Sequence, residues 1–199
     1  MSTTDWQDAD AAAGLAYAYH LPVVLTAGSS LSPQGAAELS KLGFDQVLAI
    51  GGPVVLSPAV VSAIEAIDVT VGGEPTPISV LRIAGSDAAG TSADLASFEG
   101  ALLGWSNATL YVAQGTSQGA GWGDSLAAAP LVAEGHGALL LTAGPGVGLP
   151  STLTTALVEA GTSPYGLGSG VTSSLQVLGG PLAVTPVQVA GLQRSLATG

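Results

Sequence analysis

The chain says most of its sequence twice, and this duplication limits the possible folds more than any single motif does. Trp6-Gln7-Asp8 returns as Trp122-Gly123-Asp124, and Ala11-Ala12-Ala13 as the small-residue run Ser125–Ala129. Pro22–Leu25 with Thr26-Ala27-Gly28 returns as Ala138–Leu141 with Thr142-Ala143-Gly144. The offset over this span is 116 residues, and it carries His20 onto His136. Gly51-Gly52-Pro53 and Ser57-Pro58 return as Gly179-Gly180-Pro181 and Thr185-Pro186 at an offset of 128, so the second copy has gained 12 residues between its halves. Self-similarity of this kind means related structural units packed on one another.

The elements follow from apolar pattern and punctuation. Residues 8–19 are small and apolar with a single Gly, which predicts a helix. Val23–Leu25, bounded by Pro22 and Gly28, predicts a buried strand. Ser32-Pro33 is a helix start, with Ser as N-cap and Pro as first helical residue. Ala36, Leu39 and Leu42 then share a face, and Gly43 stops the helix. Gln46–Ile50 reads as a strand running into Gly51-Gly52, and Ser57-Pro58 starts a helix with Val61, Ile64 and Ile67 inward.

Residues 68–79 hold Gly72-Gly73, Pro75 and Pro77 and break the rhythm, as a linker between copies would. Strands follow at Val80–Ala84 and Thr109–Ala113 around a helix at Thr91–Leu103. The second copy reads as helix 125–134, strand 138–142, helix 151–160, strand 175–179 and helix 186–197. Residues 115–123 and Gly161–Gly170 read as loops.

Helices alternate with short, continuous apolar strands. That pattern predicts an α/β fold: a parallel sheet with helices on both faces, built from tandem related half-repeats. The expected division is a half-repeat over 1–67, a linker over 68–79 and a complete repeat over 80–199.

Composition narrows the function. Only 9% of the 199 residues are charged, against about a quarter in ordinary domains. Net charge is −11, which excludes nucleic acid or an anionic membrane held by the chain's own field. There is no cysteine, so disulfides and thiolate metal sites are excluded. No apolar run has the roughly 18 residues of a spanning helix, and an export signal is expected to lie outside this sequence.

Residues 82–197 resemble one whole cell-wall-binding repeat of type 2, a family of bacterial surface modules. The resemblance rests on an ordered set: Arg82-Ile-Ala-Gly85-Ser-Asp87 with Thr91, then Asp124-Ser125-Leu126-Ala-Ala-Ala-Pro130, Leu141-Thr142 and Leu178-Gly179-Gly180. Residues 6–67 resemble the second half of an earlier repeat, with no Arg-x-x-Gly segment before Trp6. A neighbouring chain adding a strand at the edge is one way to supply the absent part. Ala88 stands where the family usually has an Arg after the Asp.

The resemblance implies a non-catalytic module on the cell surface or cell wall, attached to a secondary wall polymer or glycan, with no cofactor and no metal. Anionic polymers fit poorly with a charge of −11, so a cation, a neutral glycan or a basic spot around Arg82 is required. A self-assembling surface-layer or oligomerisation module and a wall-polysaccharide hydrolase are the competing readings.

Seven residues are candidate ligand contacts. Trp6 and Trp122 offer ring faces for a pyranose or serve as lids on the preceding strand. Asp8 and Asp124, at helix starts, either cap the helix and face its positive end or contact ligand or cation. Arg82, Asp87 and Thr91 form the second patch, in which Arg82 is expected to pair with Asp87 or Asp94. His20 and His136 read as helix C-terminal residues, and Trp105 as packing. No nucleotide loop, Walker Lys or nucleophile elbow is present.

Overall fold

The computed structural model describes residues 1–3, 6–115, 121–162 and 172–198, excepting the side chains of 121–122 and 160–162. In chain order the elements begin with α1 (Trp6–Ala11), α2 (Ala13–Ala18), α3 (Pro33–Leu42), β1 (Gln46–Ile50) and α4 (Pro58–Glu65). The hairpin strands β2 (Asp68–Val71) and β3 (Glu74–Pro77) follow, then β4 (Ser79–Ile83), α5 (Ala88–Leu103) and β5 (Thr109–Gln114). The chain continues through α6 (Gly121–Ala127), α7 (Ala129–Gly135), β6 (Leu139–Thr142), α8 (Ser151–Thr162), β7 (Ser174–Val177) and α9 (Pro186–Thr198).

Two small parallel sheets carry the architecture. In one, β5 lies between β6 and β7, with Val112 opposite both Leu140 and Val177. Alternate residues of β5 point to opposite faces. Leu110 and Val112 pack with Leu140, Leu153, Leu157 and Leu192, whereas Tyr111 and Ala113 pack with Leu15, Leu95, Val132 and Leu141. Helices therefore cover both faces, which is why the strands are apolar without alternation. In the other sheet β1 pairs with β4 over a third cluster formed by Leu39, Leu56, Val60, Ile64, Val69 and Ile78.

Local chemistry sets several boundaries where the residues indicate. Ser32 accepts a hydrogen bond from the Gly35 amide at 3.0 Å, and Gly43 closes α3 in the left-handed region at φ 70°. Thr185 and Gln188 form a reciprocal cap at the start of α9: the Thr185 amide donates to Gln188 Oε1 at 2.9 Å, and the Gln188 amide donates to Thr185 Oγ1 at 3.3 Å. His136 caps α7 with φ 43°, and His20 follows α2 with φ 53°, as expected of residues at helix C-termini.

Three expectations are corrected. Each predicted N-terminal helix is broken in two. Pro130 sits in the first turn of α7 and cannot continue α6. In the first copy, Gly14 of α2 lets Val132 approach so closely that a Cβ would lie 2.4 Å from its Cγ1. The stretch 68–79 contains the β2–β3 hairpin, turned by Gly72 and Gly73 at φ 59° and 94°. Val23–Leu25 is not a buried strand. It makes no ladder, only Ser2 and Thr26 bridge, and Val23 and Leu25 are 49% and 50% exposed.

Candidate functional site

The first site element is a glycine turn gripped from two sides. β1 ends in Gly51, whose φ of 118° admits no ordinary side chain. The Asp8 carboxylate packs into the space a Cβ would take, with Oδ2 2.6 Å from that point. From β4, Arg82 donates through Nη1 to the Gly51 carbonyl at 2.5 Å and through Nη2 to the Leu56 carbonyl at 2.8 Å. No ion pair joins Arg82 to Asp87 or Asp94, contrary to expectation. The guanidinium fork matches two carbonyls of one turn, and this geometry holds it there.

The second copy repeats half of this. Asp124 Oδ2 lies 2.3 Å from where a Cβ on Gly179 would stand, and Gly179 has φ 92°. Asp8 and Asp124 thus fall inside the first turns of α1 and α6, facing their positive ends, with no N-cap role. Asp8 is buried and Asp124 half-buried.

The second element is the start of α5. A Cβ on Gly85 would lie 2.2 Å from the Gly90 carbonyl carbon, so glycine is needed for the chain to turn in against the helix. Thr91 Oγ1 accepts from the Gly85 amide at 3.2 Å. Asp87 caps the helix, its Oδ1 accepting from the Gly90 amide at 2.7 Å and from Thr152 Oγ1 at 3.1 Å. The Arg-x-x-Gly-x-Asp…Thr pattern is therefore read out as one clamp, one close approach, one cap and one hydroxyl brace. Ala88, at the position that departs from the family pattern, opens α5.

A polar cleft of about 420 Å³ lies between α5 and α8, and Thr152, the partner of Asp87, is one of the residues that line it. Ser86, Asp94, Ser97, Thr152, Thr155 and Glu159 line it, and no basic residue does. It opens where helices follow the carboxyl ends of parallel strands β4 and β6, the usual place for a ligand in such sheets. Hydroxyls and carboxylates at such a surface suit sugar hydroxyls or a hydrated cation. Asp94, Ser97, Thr155 and Glu159 were not singled out as ligand contacts from the sequence. The available signal was helical spacing: Asp94 and Ser97 stand at i and i+3, and Thr155 and Glu159 at i and i+4, placing each pair on one face.

The remaining expectations divide. Trp6 is half-buried beside Asp8 in α1, while the Trp122 side chain lies outside the described residues. Trp105 packs as predicted, 1% exposed, stacked on Tyr19 at 6.5 Å and tilted against His136 at 5.5 Å. Of the predicted loops, Gly161 and Thr162 instead end α8 and Gly121–Gly123 open α6, while 116–120 and 163–170 lie outside the described residues. Among the described residues there is no cluster of three or more His, Asp or Glu able to hold a metal, and no helix is long and apolar enough to cross a membrane.

Two buried acids stand apart from the cleft. Burial pushes the Glu99 carboxyl well above its usual range. Burial also raises that of Asp10, opposed by a hydrogen bond from Ser125.

Parallel sheets clothed by helices, glycine turns gripped by aspartates and an arginine, and an acidic cleft define a small α/β module. The chain belongs to the Cell wall binding domain 2 (CWB2) family, whose pattern matches residues 82–189, more than half its length. Solved structures share the fold. Cwp8 from Clostridium difficile superposes with TM-score 0.69 at 20% identity over 97% of this chain and 28% of that one. Cwp6 from Clostridium difficile gives 0.71 at 22% over 95% and 26%. This chain thus spans only about a quarter of either. No curated protein matches it.

Proposed function

We propose that the chain is a non-catalytic module that anchors an exported protein to a cell-wall polymer, with the cleft between α5 and α8 as the contact face. The observation that carries this reading is that the family match over residues 82–189 takes in both walls of the cleft. The lining favours a neutral, hydroxyl-rich glycan, or an anionic secondary polymer bridged by a cation. Asp94 and Glu159 would repel a bare polyanion, and Arg82 is engaged by two carbonyls elsewhere. Of the seven sequence candidates, none lines the cleft; Asp87 adjoins it by accepting a hydrogen bond from Thr152, which does. Trp6, Asp8, Trp122 and Asp124 form a second proposed contact around the glycine turns. The repeated Asp–Gly packing supports tandem related half-repeats divided near the hairpin.

The test is a pull-down of the full chain on purified wall sacculi, before and after acid extraction of secondary polymers, with calcium in a parallel tube. Binding that disappears with the extracted polymer, and weakens at least tenfold in a Thr155→Val, Asp94→Asn variant, is the expected result. Retention of the chain on extracted sacculi, or no retention in any tube, overturns the reading. Release of reducing ends would move it to the hydrolase class.

A further inference from the structure

Two matching loops, one in each copy, are held in different ways. In the first copy the hydroxyl of Thr26 holds the loop that follows it: it donates to the Ser30 carbonyl at 3.0 Å and accepts from the Ser32 amide at 3.3 Å. The residues matching Thr26, Ser30 and Ser32 in the second copy are Thr142, Gly146 and Gly148. There the loop is held from α9 instead. Gln188, which stands where the first copy has the fully buried Val60, donates through Nε2 to the Ala143, Gly144 and Val147 carbonyls, each at 3.1 Å. Thr185 fixes the other end of its amide by donating to Oε1.

This exchange leaves Thr142 idle. It is 2% exposed, and its Oγ1 has no hydrogen-bond partner among the described residues. Gln114 lies opposite it in register, 4% exposed, and no described residue bonds its carboxamide. Alternation puts both side chains on the face of Val112 and Leu140, at the carboxyl ends of β5 and β6. Ligands of parallel sheets bind at that end. A buried hydroxyl without a partner destabilises the fold, so its retention calls for a physical reason.

The loop that leaves Thr142 is weakly tied. The two hydrogens of the Gln188 amide serve three carbonyls. Residues 145–148 are exposed, and a Cβ on Gly146 or Gly148 would meet nothing within 4 Å. Beyond them Leu149 is packed so closely on α9 that a Cβ on Gly191 would lie 2.7 Å from its Cδ1. The movable span is thus 143–148, between two fixed ends.

We infer that Thr142 and Gln114 form a binding site for the acetamido group of an N-acetylated amino sugar, entered when loop 143–148 lifts from Gln188. Both side chains are neutral, and each offers a donor and an acceptor. An amide supplies the complementary pair: its carbonyl accepts from the Thr142 hydroxyl, and its N–H donates to Gln114 Oε1. Its methyl then meets the apolar cluster that includes Leu110, Val112, Leu140 and Leu153. A sugar hydroxyl would leave that apolar floor empty, and a phosphate or carboxylate would bring a charge that neither side chain neutralises. The choice of a sugar as carrier rests on the proposed wall-polymer function. The site itself shares no lining residue with the cleft between α5 and α8.

The experiment is NMR on the full chain with the trimer of N-acetylglucosamine, against the same trimer without its acetyl groups. The acetylated trimer should shift the side-chain amide signals of Gln114 and Gln188, and the bare trimer should bind at least tenfold more weakly. Thr142→Val keeps the shape and removes the idle hydroxyl. It should unfold in urea at the wild-type midpoint or above it and lose at least tenfold in affinity for the acetylated trimer, a combination that a purely structural threonine does not give. No shift at either amide, equal binding of the two trimers, wild-type affinity in Thr142→Val, or a lowered midpoint overturns the inference. A trimer that fails to bind while wall sacculi still retain the chain overturns this site and leaves the anchoring reading in place.

Discussion

Ser125 donates a hydrogen bond to Asp10 at 2.6 Å, both side chains buried, and so ties α6 to α1 across the boundary between the two copies. The bond opposes the burial that drives the Asp10 carboxyl upward. Removing it leaves a buried acid without this donor. Ser125→Ala is expected to lose about 1–3 kcal/mol of stability, read from urea unfolding at pH 7. An unchanged midpoint would mean that the α1–α6 contact is held by packing alone.

Glu99 provides a pH signature. Its folded-state carboxyl is raised by burial, so the folded chain holds a proton that the unfolded chain releases near pH 4.3. Its stabilising contribution is complete below that pH and is lost as pH rises through the folded value. Glu99→Gln should therefore match the wild type near pH 4 and exceed it in stability at pH 7. Urea midpoints of both chains at the two pH values measure the difference, and equal slopes against pH would reject it.

Arg82 tests whether the pattern Arg-x-x-Gly is a clamp. Arg82→Ala removes two charge-assisted bonds and strands the Gly51 and Leu56 carbonyls, with an expected loss of about 2–3 kcal/mol. Arg82→Lys should recover less than half, because a single ammonium cannot span both acceptors as the fork does. Thermal unfolding of the three chains ranks them.

Two glycines separate a conformational demand from a contact demand. Gly43 has φ 70° and open space around a would-be Cβ, so Gly43→Ala should cost about 1–2 kcal/mol. Gly179 has φ 92° and the Asp124 carboxylate in the way. Gly179→Ala should cost at least twice as much, and Asp124→Ala in the same chain should relieve part of it. A double-mutant cycle on unfolding free energies checks the coupling.

Much of this architecture was legible in the residues. Ser32-Pro33 and Gly43 mark the ends of α3 by chemistry that acts within one helical turn, and the apolar run at Thr109–Ala113 marks the central strand. What depended on a neighbour was not legible. Val23–Leu25 has the same apolar run as Leu139–Leu141, and burial differs because only the second has β5 beside it. Gly72-Gly73 carried a hairpin signal, but the prolines around it suggested a break. Arg82 was expected to seek a carboxylate, as charge alone would have it. Its place was set instead by the distance between two carbonyls, which no spacing along the chain reveals. The cleft was hidden for a similar reason: α5 and α8 lie about 60 residues apart, and hydroxyls spread over both faces of weakly amphipathic helices point to no shared wall.

The β2–β3 hairpin is rooted by Val69, which packs into the third core cluster, while its tip stands clear. A Cβ on either Gly72 or Gly73 would meet nothing within 4 Å. The root fixes the direction in which the tip points, and the tip lines neither the cleft between α5 and α8 nor the apolar cavity beside β1. Residues threaded between these two glycines are thus presented outward from a rigid stem, which makes this turn a natural graft point for an epitope or fluorophore, allowing the orientation of the module on an intact envelope to be observed from outside.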